Sequence, residues 1–157
     1  MTDLISRAEV EELFADYNAA LDDRDLGRWL SFFMAVSSYV VTTRENLDRG
    51  WSIAIINCET RGMMIDRVAA IQKTMYFLPR QQRRIISGVR VVGAEGAAVR
   101  VRSAFAMFET LPSAPSKFFV AGQALDVIGR EDDKLKFVSR RCVLDSAIVP
   151  NSLIYPI

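Results

Sequence analysis

The N-terminal third of the chain spaces its apolar residues with the period of a helix. Ser6, followed three positions later by Glu9, forms a capping-box pattern that predicts a helix start. Behind it, apolar residues recur every three or four positions, which predicts an amphipathic helix with one buried stripe. The stripe consists of Val10, Leu13, Phe14, Tyr17, Ala20 and Leu21. After an acidic turn at residues 22–25, Asp25 is placed to cap a short second helix. Its apolar side would carry Leu26, Trp29, Leu30 and Phe33.

The middle of the chain predicts a strand, a loop and a third helix. Residues 38–43 are rich in β-branched and aromatic side chains, which favour a strand, whereas the polar residues 44–50 indicate a loop. Residues 51–58 form a second apolar run. Thr60 is placed to cap a helix that we expect to pack across a sheet. Its characteristic side chains are Met63, Met64, Arg67, Val68 and Ile71.

The second half changes to the period of a strand. Residues 83–92, 97–110, 117–130 and 134–145 each predict a long strand, and the short connection at residues 93–96 is typical of a hairpin. Strict alternation would place Phe137 and Arg141 on one side of the last strand and Arg140 and Cys142 on the other. Helices followed by long strands indicate an α+β fold, in which N-terminal helices pack on one face of a long, curved, mainly antiparallel sheet.

Composition limits the chemistry that the chain can carry alone. Its 157 residues contain no histidine and only two cysteines, Cys58 and Cys142, which we expect to be small buried hydrophobic residues. Zinc sites, Rieske clusters, two-histidine-one-carboxylate iron sites and Ser-His-Asp triads all need imidazole. We therefore predict that this chain alone holds no such metal site, cluster or triad, and we expect no cofactor-binding or metal-binding residue in it. A chain of this length fits one domain, spanning residues 1–157.

Charge and hydropathy narrow the possible partners. A formal net charge of +1 is too small for broad attraction to nucleic acid. The N-terminus lacks the pattern of a secretory signal, and no uncharged apolar stretch is long enough to cross a bilayer. We expect a cytoplasmic protein without a membrane or nucleic-acid partner.

Ordered local strings resemble the small, or beta, subunit of bacterial aromatic-ring-hydroxylating oxygenases, a branch of the nuclear-transport-factor-like (SnoaL-like) superfamily. The strings lie at residues 21–24, 29–33, 39–42, 45–50, 63–68, 140–146 and 150–153. Residues 48–50, the step from Cys58 to Glu59, and the pair Met63 and Met64 are most similar to members that serve salicylate hydroxylases. One departure is Arg83-Arg84-Ile85, since many relatives place a histidine just after this basic pair.

The resemblance implies a cone-shaped fold and a non-catalytic, structural role in aromatic catabolism. The Rieske [2Fe-2S] cluster and mononuclear Fe(II) would lie in a large alpha subunit, and this chain would trimerise within an α3β3 complex. The alternative is a free-standing cone-fold isomerase, dehydratase or cyclase that uses a carboxylate and a tyrosine on a small hydrophobic substrate. Its candidate residues are Asp16, Tyr17, Asp25 and Asp126.

Arginines concentrate in the second half, and arginine is enriched at protein interfaces. The group comprises Arg80, Arg83, Arg84, Arg90, Arg100, Arg102, Arg140 and Arg141. We predict a subunit interface that includes Arg83, Arg84, Arg100, Arg102, Arg140, Arg141, Leu153 and Tyr155. The simpler interpretation is a solvated sheet face.

Two apolar regions carry further expectations. The segment 148–157 is unusually apolar, so we expect it to be tied down, either on its own domain or on a neighbouring copy. A second group is expected in the core, since methionine commonly fills core gaps. It consists of Met63, Met64, Met75, Tyr76 and Phe77.

Overall fold

A computed structural model describes residues 4–150 and 152–157. Its helices are α1 (Arg7–Asp22), α2 (Leu26–Ser31), α3 (Arg44–Asp48) and α4 (Arg61–Lys73). Its strands are β1 (Phe33–Thr43), β2 (Ile56–Cys58), β3 (Gln81–Glu95), β4 (Ala98–Thr110), β5 (Lys117–Glu131) and β6 (Lys134–Leu144). The strands form one sheet in the order β2-β1-β6-β5-β4-β3. The α+β prediction is confirmed.

The predicted helix starts have the expected side-chain caps. Ser6 accepts a hydrogen bond from the Glu9 amide, and the Glu9 carboxylate accepts one in return from the Ser6 amide, so the capping box is complete. The predicted stripe is the buried side of α1. The Asp25 carboxylate caps α2, and the Thr60 hydroxyl caps α4 by accepting from the Met63 amide at 3.2 Å.

The sheet is antiparallel except at one junction. Strands β3 to β6 form the expected meander, but β1 lies parallel to β6, with Tyr39 beside Arg140. A parallel pair needs a long crossover, and here the chain from α3 through β5 provides it. Helix α1 packs against β3 and β6, α4 packs against β1, and Phe14 of α1 stacks on Phe137 at a centroid distance of 5.9 Å.

Several local expectations were wrong. The predicted loop at residues 44–50 contains α3, capped by Thr43. The apolar run at 51–58, to which no element was assigned, ends in the short strand Ile56–Cys58. Phe33 is the first residue of β1 rather than part of α2, although it is buried as expected. Met64 is in the core and Phe77 packs partly buried against it, as expected, but three members of the group are exposed. Met63 lies on the outer side of α4, and Met75 and the fully exposed Tyr76 follow the end of that helix.

Bulges in β6 and β3 change the alternation of side chains between the two sides of the sheet. Val138 is an extra residue between the β5–β6 pairs Val127–Ser139 and Ile128–Phe137, so Phe137 and Arg140 point to the same side. The strict alternation predicted for β6 is therefore wrong beyond Phe137. In β3 a second irregularity lies between Ser87 and Arg90, where Gly88 has a φ of +62°, a conformation that glycine adopts without strain.

Candidate functional site

The sheet has two chemically different sides. The closed face, which bears Phe105, Phe137 and Arg140, is buried against the helices, whereas the open face, which bears Arg100, Arg102 and Arg141, is exposed. In β4 the predicted alternation is confirmed: Val101, Ser103, Phe105 and Met107 are buried, and the intervening Arg100 and Arg102 are exposed.

Strand register brings the open-face arginines into two neighbouring rows. In one row, Arg90 pairs with Arg102, Arg102 with Leu125, and Leu125 with Arg141. In the adjacent row Arg100 pairs with Val127. Arg100, Arg102 and Arg141 line a groove of about 420 Å³ whose floor includes Val40, Leu125 and Val127.

None of the four open-face arginines, Arg90, Arg100, Arg102 and Arg141, has an acidic partner within residues 4–150 and 152–157. The Arg100 guanidinium lies over Gly93, where a Cβ would come within 2.8 Å of Nη2. The groove therefore presents several positive charges above an apolar floor, an arrangement that suits a surface bearing carboxylates.

The other four arginines are engaged within the domain. Arg80 binds the buried Glu109 carboxylate at 3.2 Å. Arg83 and Arg84 both bind Asp22 at the end of α1, and Arg84 is itself buried. A further acceptor for Arg84 is the main-chain oxygen of Pro156.

Arg140 occupies the centre of the closed face. Its Nη1 donates to Oδ2 of Asp126 at 2.7 Å, and both side chains are buried. The guanidinium carbon lies 4.6 Å from the ring centroid of Tyr17 and 5.0 Å from that of Phe137, so aromatic faces also stabilise the cation. Oδ1 of Asp126 has no hydrogen-bond partner in the described part of the chain.

Burial perturbs the ionisation of this cluster. It raises the pKa of Asp126 to about 6, although Arg140 acts in the opposite direction. It also raises the pKa of the Tyr17 and Tyr39 hydroxyls. Burial alone would lower the pKa of Arg140, but the Asp126 carboxylate raises it above its ordinary value, so the guanidinium stays charged.

Only part of the predicted acid-base set comes together. Tyr17 and Asp126 both lie against Arg140, but Asp16 is exposed and paired with Arg28 at 3.3 Å, and Asp25 caps α2. Tyr17 donates at 2.6 Å to a main-chain oxygen of Ile157. The C-terminal segment therefore occupies the place that a substrate would need next to Tyr17.

The predicted interface residues fall into two groups. Arg83, Arg100, Arg102 and Arg141 are exposed, whereas Arg84, Arg140, Leu153 and Tyr155 are buried within their own domain. The expected anchoring of the terminal segment is confirmed on its own domain, although Ile148 remains 79% exposed and Asn151 lies outside the described residues.

Sequence reasoning missed three members of the buried polar network: Asp22, Gln82 and Glu109. The alternate spacing of Arg80, Gln82 and Arg84 was a signal that all three point to the same side of an extended chain, which becomes β3 at Gln81. Cys58 and Cys142 are buried free thiols, as predicted, and burial raises the pKa of Cys142 to about 11. Among the described residues, no cluster of three or more cysteine, aspartate or glutamate side chains could hold a metal ion.

Comparison with known families distinguishes the beta-subunit interpretation from that of a free-standing enzyme. The family model described as "Ring hydroxylating beta subunit" matches residues 18–151. The chain belongs to the ring-hydroxylating beta-subunit family. Beta subunits of this family are the non-catalytic components of dioxygenase complexes, in which they partner a large oxygenase subunit. The recognition made from ordered sequence strings is confirmed.

Individual relatives agree with the family assignment. The small subunit of anthranilate 1,2-dioxygenase from Burkholderia cepacia is 26% identical over 149 residues, covering 95% of this chain and 92% of the relative. The crystal structure of the beta subunit of a candidate aromatic-ring-hydroxylating dioxygenase from Novosphingobium aromaticivorans matches with a TM-score of 0.87 and 28% identity, covering 96% of each chain.

A more distant crystal structure supports the fold. The beta subunit of benzoate 1,2-dioxygenase from Burkholderia mallei matches with a TM-score of 0.76 and 20% identity, covering 91% of this chain and 93% of that one. The cone-shaped fold is thus shared across the family. Within the described ranges, no helix combines the length and the hydropathy needed to span a membrane.

Proposed function

We propose that this chain is the structural subunit that holds the large subunits of a Rieske-type aromatic-ring-hydroxylating oxygenase in an α3β3 complex. The Rieske [2Fe-2S] cluster and the mononuclear Fe(II) would belong to the large subunit, where imidazole ligands are available. The observation that carries the proposal is the set of open-face arginines that lack acidic partners in the described chain.

The open face has the mixed character of a subunit interface. At one end lie Arg90, Arg100, Arg102 and Arg141, and at the other the exposed side chains of Ile85 and Phe118. Interfaces are enriched in arginine and aromatic residues. Guanidinium groups that are exposed in the isolated chain can form bidentate bonds to carboxylates of a neighbouring subunit.

The predicted interface residues take different parts in this proposal. Arg83, Arg100, Arg102 and Arg141 would contact the neighbouring subunit directly. The other four predicted residues, Arg84, Arg140, Leu153 and Tyr155, would act from inside by fixing the sheet and the C-terminal segment beneath the contact surface.

A second exposed apolar surface is available for another subunit. Trp51 is 49% exposed and Ile53 is 65% exposed in the segment before β2, and the Arg49 guanidinium carbon lies 4.8 Å from the Trp51 ring centroid. A subunit that contacts both its sister copies and the large subunit needs two separate contact surfaces, and the open face and the Trp51–Ile53 surface would provide them.

Three narrower assignments are also proposals. The salicylate hydroxylase branch rests on residues 48–50, the Cys58-Glu59 step and the Met63-Met64 pair. A cytoplasmic location is proposed because the family consists of soluble dioxygenase subunits. A single domain over residues 1–157 is supported by one core cluster that includes both Ile5 and Ile157.

Co-expression with the large oxygenase subunit of the same organism tests the assembly role. We expect a hexamer by light scattering, and loss of the hexamer when Arg100→Glu and Arg141→Glu are combined. The combination of Lys73→Glu and Lys134→Glu changes the net charge equally at other exposed positions and should leave the hexamer intact. A fully assembled, fully active oxygenase formed without this chain would refute the proposal.

A further inference from the structure

The last residues of the chain lie inside the domain. Tyr155, Pro156 and Ile157 are buried, and Leu153 is buried as well, whereas Ile148, a few residues earlier, is exposed. We call residues 152–157 the plug. A buried apolar segment must find hydrogen-bond partners for its main-chain groups inside the domain.

Side chains from several elements donate hydrogen bonds to the main-chain oxygens of the plug. The main-chain oxygens of Leu153 and Ile154 accept from Arg67 of α4 at 3.3 and 3.0 Å. The Pro156 oxygen accepts from Arg84 of β3. A main-chain oxygen of Ile157 accepts from Tyr17 of α1 at 2.6 Å and from Tyr39 of β1 at 3.3 Å.

The end of the plug is the most completely enclosed part. The Ile157 amide donates to the Tyr39 oxygen at 2.7 Å, and Sγ of Cys142 lies 3.8 Å from the Ile157 oxygen. The Ile157 side chain is 2% exposed. Buried hydroxyl and guanidinium donors without an acceptor are costly, so these donors need an occupant at this position.

The plug combines a small branched apolar side chain with oxygen acceptors. Tyr17, Tyr39 and Arg84 would be free to donate if the plug left, and the surrounding walls are apolar or aromatic. Arg140 is paired one to one with Asp126, whereas Asp22 is shared between Arg83 and Arg84, so one positive charge is left to balance a ligand carboxylate. A small apolar carboxylate reproduces both parts of the plug, with its body in place of the Ile157 side chain and its oxygens in place of the main-chain acceptors.

We propose that the plug occupies a ligand cavity of the domain, and that a small apolar carboxylate binds to Tyr17, Tyr39 and Arg84 when the plug is displaced. This ligand site is separate from the open face and does not depend on the assembly role. In the docked state the plug competes with the ligand, so the apparent affinity is reduced by the fraction of chains in which the plug is undocked.

The test weakens the plug within the full chain. A variant combining Tyr155→Gly and Ile157→Gly removes two apolar anchors but keeps the chain length, and benzoate and 4-methylpentanoate serve as probes in calorimetric titrations. We expect both probes to bind at least about tenfold more tightly than to the unmodified chain, since the undocked fraction rises. The matched control, Ile148→Gly, changes an exposed residue of the same region and should leave probe affinity unchanged.

Two further measurements keep the proposal open to refutation. Adding Tyr17→Phe and Tyr39→Phe to the weakened variant should abolish the gain, because the hydroxyl donors are lost. In the unmodified chain, saturating benzoate should accelerate hydrogen exchange of the Ile157 amide, which is otherwise bonded to Tyr39. A weakened variant that keeps its cooperative unfolding but binds neither probe more tightly would overturn the proposal. If that variant fails to fold, unchanged Ile157 exchange in the unmodified chain would do so.

Discussion

Arg140 and Arg141 are neighbours in β6, yet they point to opposite sides of the sheet and meet different surroundings. Arg140 is 2% exposed and bonded to Asp126, with three aromatic rings around its guanidinium group. Arg141 is exposed, and no acidic partner for it lies in the described chain. The same residue type thus stabilises the domain on the closed face and remains available for another subunit on the open face.

The largest expected effect comes from removing the buried cation. Arg140→Met leaves the Asp126 carboxylate buried without its partner, which should lower the free energy of unfolding by about 3–5 kcal/mol. Arg141→Met is the matched control and should change it by less than about 0.5 kcal/mol. Urea unfolding of both variants measures the difference, and equal losses would contradict the contrast between the two faces.

The buried Asp126 on the closed face should also make the free energy of unfolding depend on pH. The folded-state pKa of Asp126, about 6, lies above its ordinary value of 3.8, so the folded chain binds this proton more tightly than the unfolded chain. The contribution of Asp126 to stability therefore falls as the pH rises from about 4 to about 6, by at most about 3 kcal/mol.

Asp126→Asn removes this titration and serves as the reference. Unfolding of the unmodified chain and the variant at a series of pH values between about 4 and 7 should show the unmodified chain losing stability relative to the variant. A difference that stays constant across this range would show that Asp126 has an ordinary pKa in the folded chain.

A smaller effect is expected at the plug. Tyr17→Phe removes the donor to Ile157 but leaves Tyr39 bonded to the same oxygen, so the loss of stability should be about 1 kcal/mol. Tyr76→Phe, at a fully exposed tyrosine, should have no measurable effect. Thermal unfolding distinguishes the two, and a loss at Tyr76 as large as that at Tyr17 would remove the distinction between closed and exposed hydroxyls.

Local patterns predicted most of the elements correctly because their causes are local. The Ser6–Glu9 capping box, the Thr60 cap and the alternation in β4 each depend on residues a few positions apart. The parallel pairing of β1 with β6 joins residues about a hundred positions apart, and periodicity within one strand carries no information about it.

The candidate site was less predictable for a similar reason. A single extra residue, Val138, moves Arg140 to the closed face, and no residue type near it marks the bulge. The number of arginines therefore indicated a composition typical of interfaces. It could not show that Arg140 is buried on the closed face whereas Arg141 is exposed on the open face. The side chains that bind the plug come from five elements that are distant in sequence. The sequence could therefore predict that the terminal segment is anchored, but not where it lies.

The irregular course of β3 bears on how copies of the chain avoid unwanted polymerisation. β3 is the last strand of the sheet, and an outer strand exposes backbone donors and acceptors that can template the addition of another strand. Its bulge at Gly88, together with the exposed charges of Arg83 and Arg90, interrupts a straight run of free amides. The other outer strand, β2, has only three residues. Both edge strands are therefore poor templates for the addition of a strand from another copy. Copies of the chain are expected to associate through side-chain contacts instead.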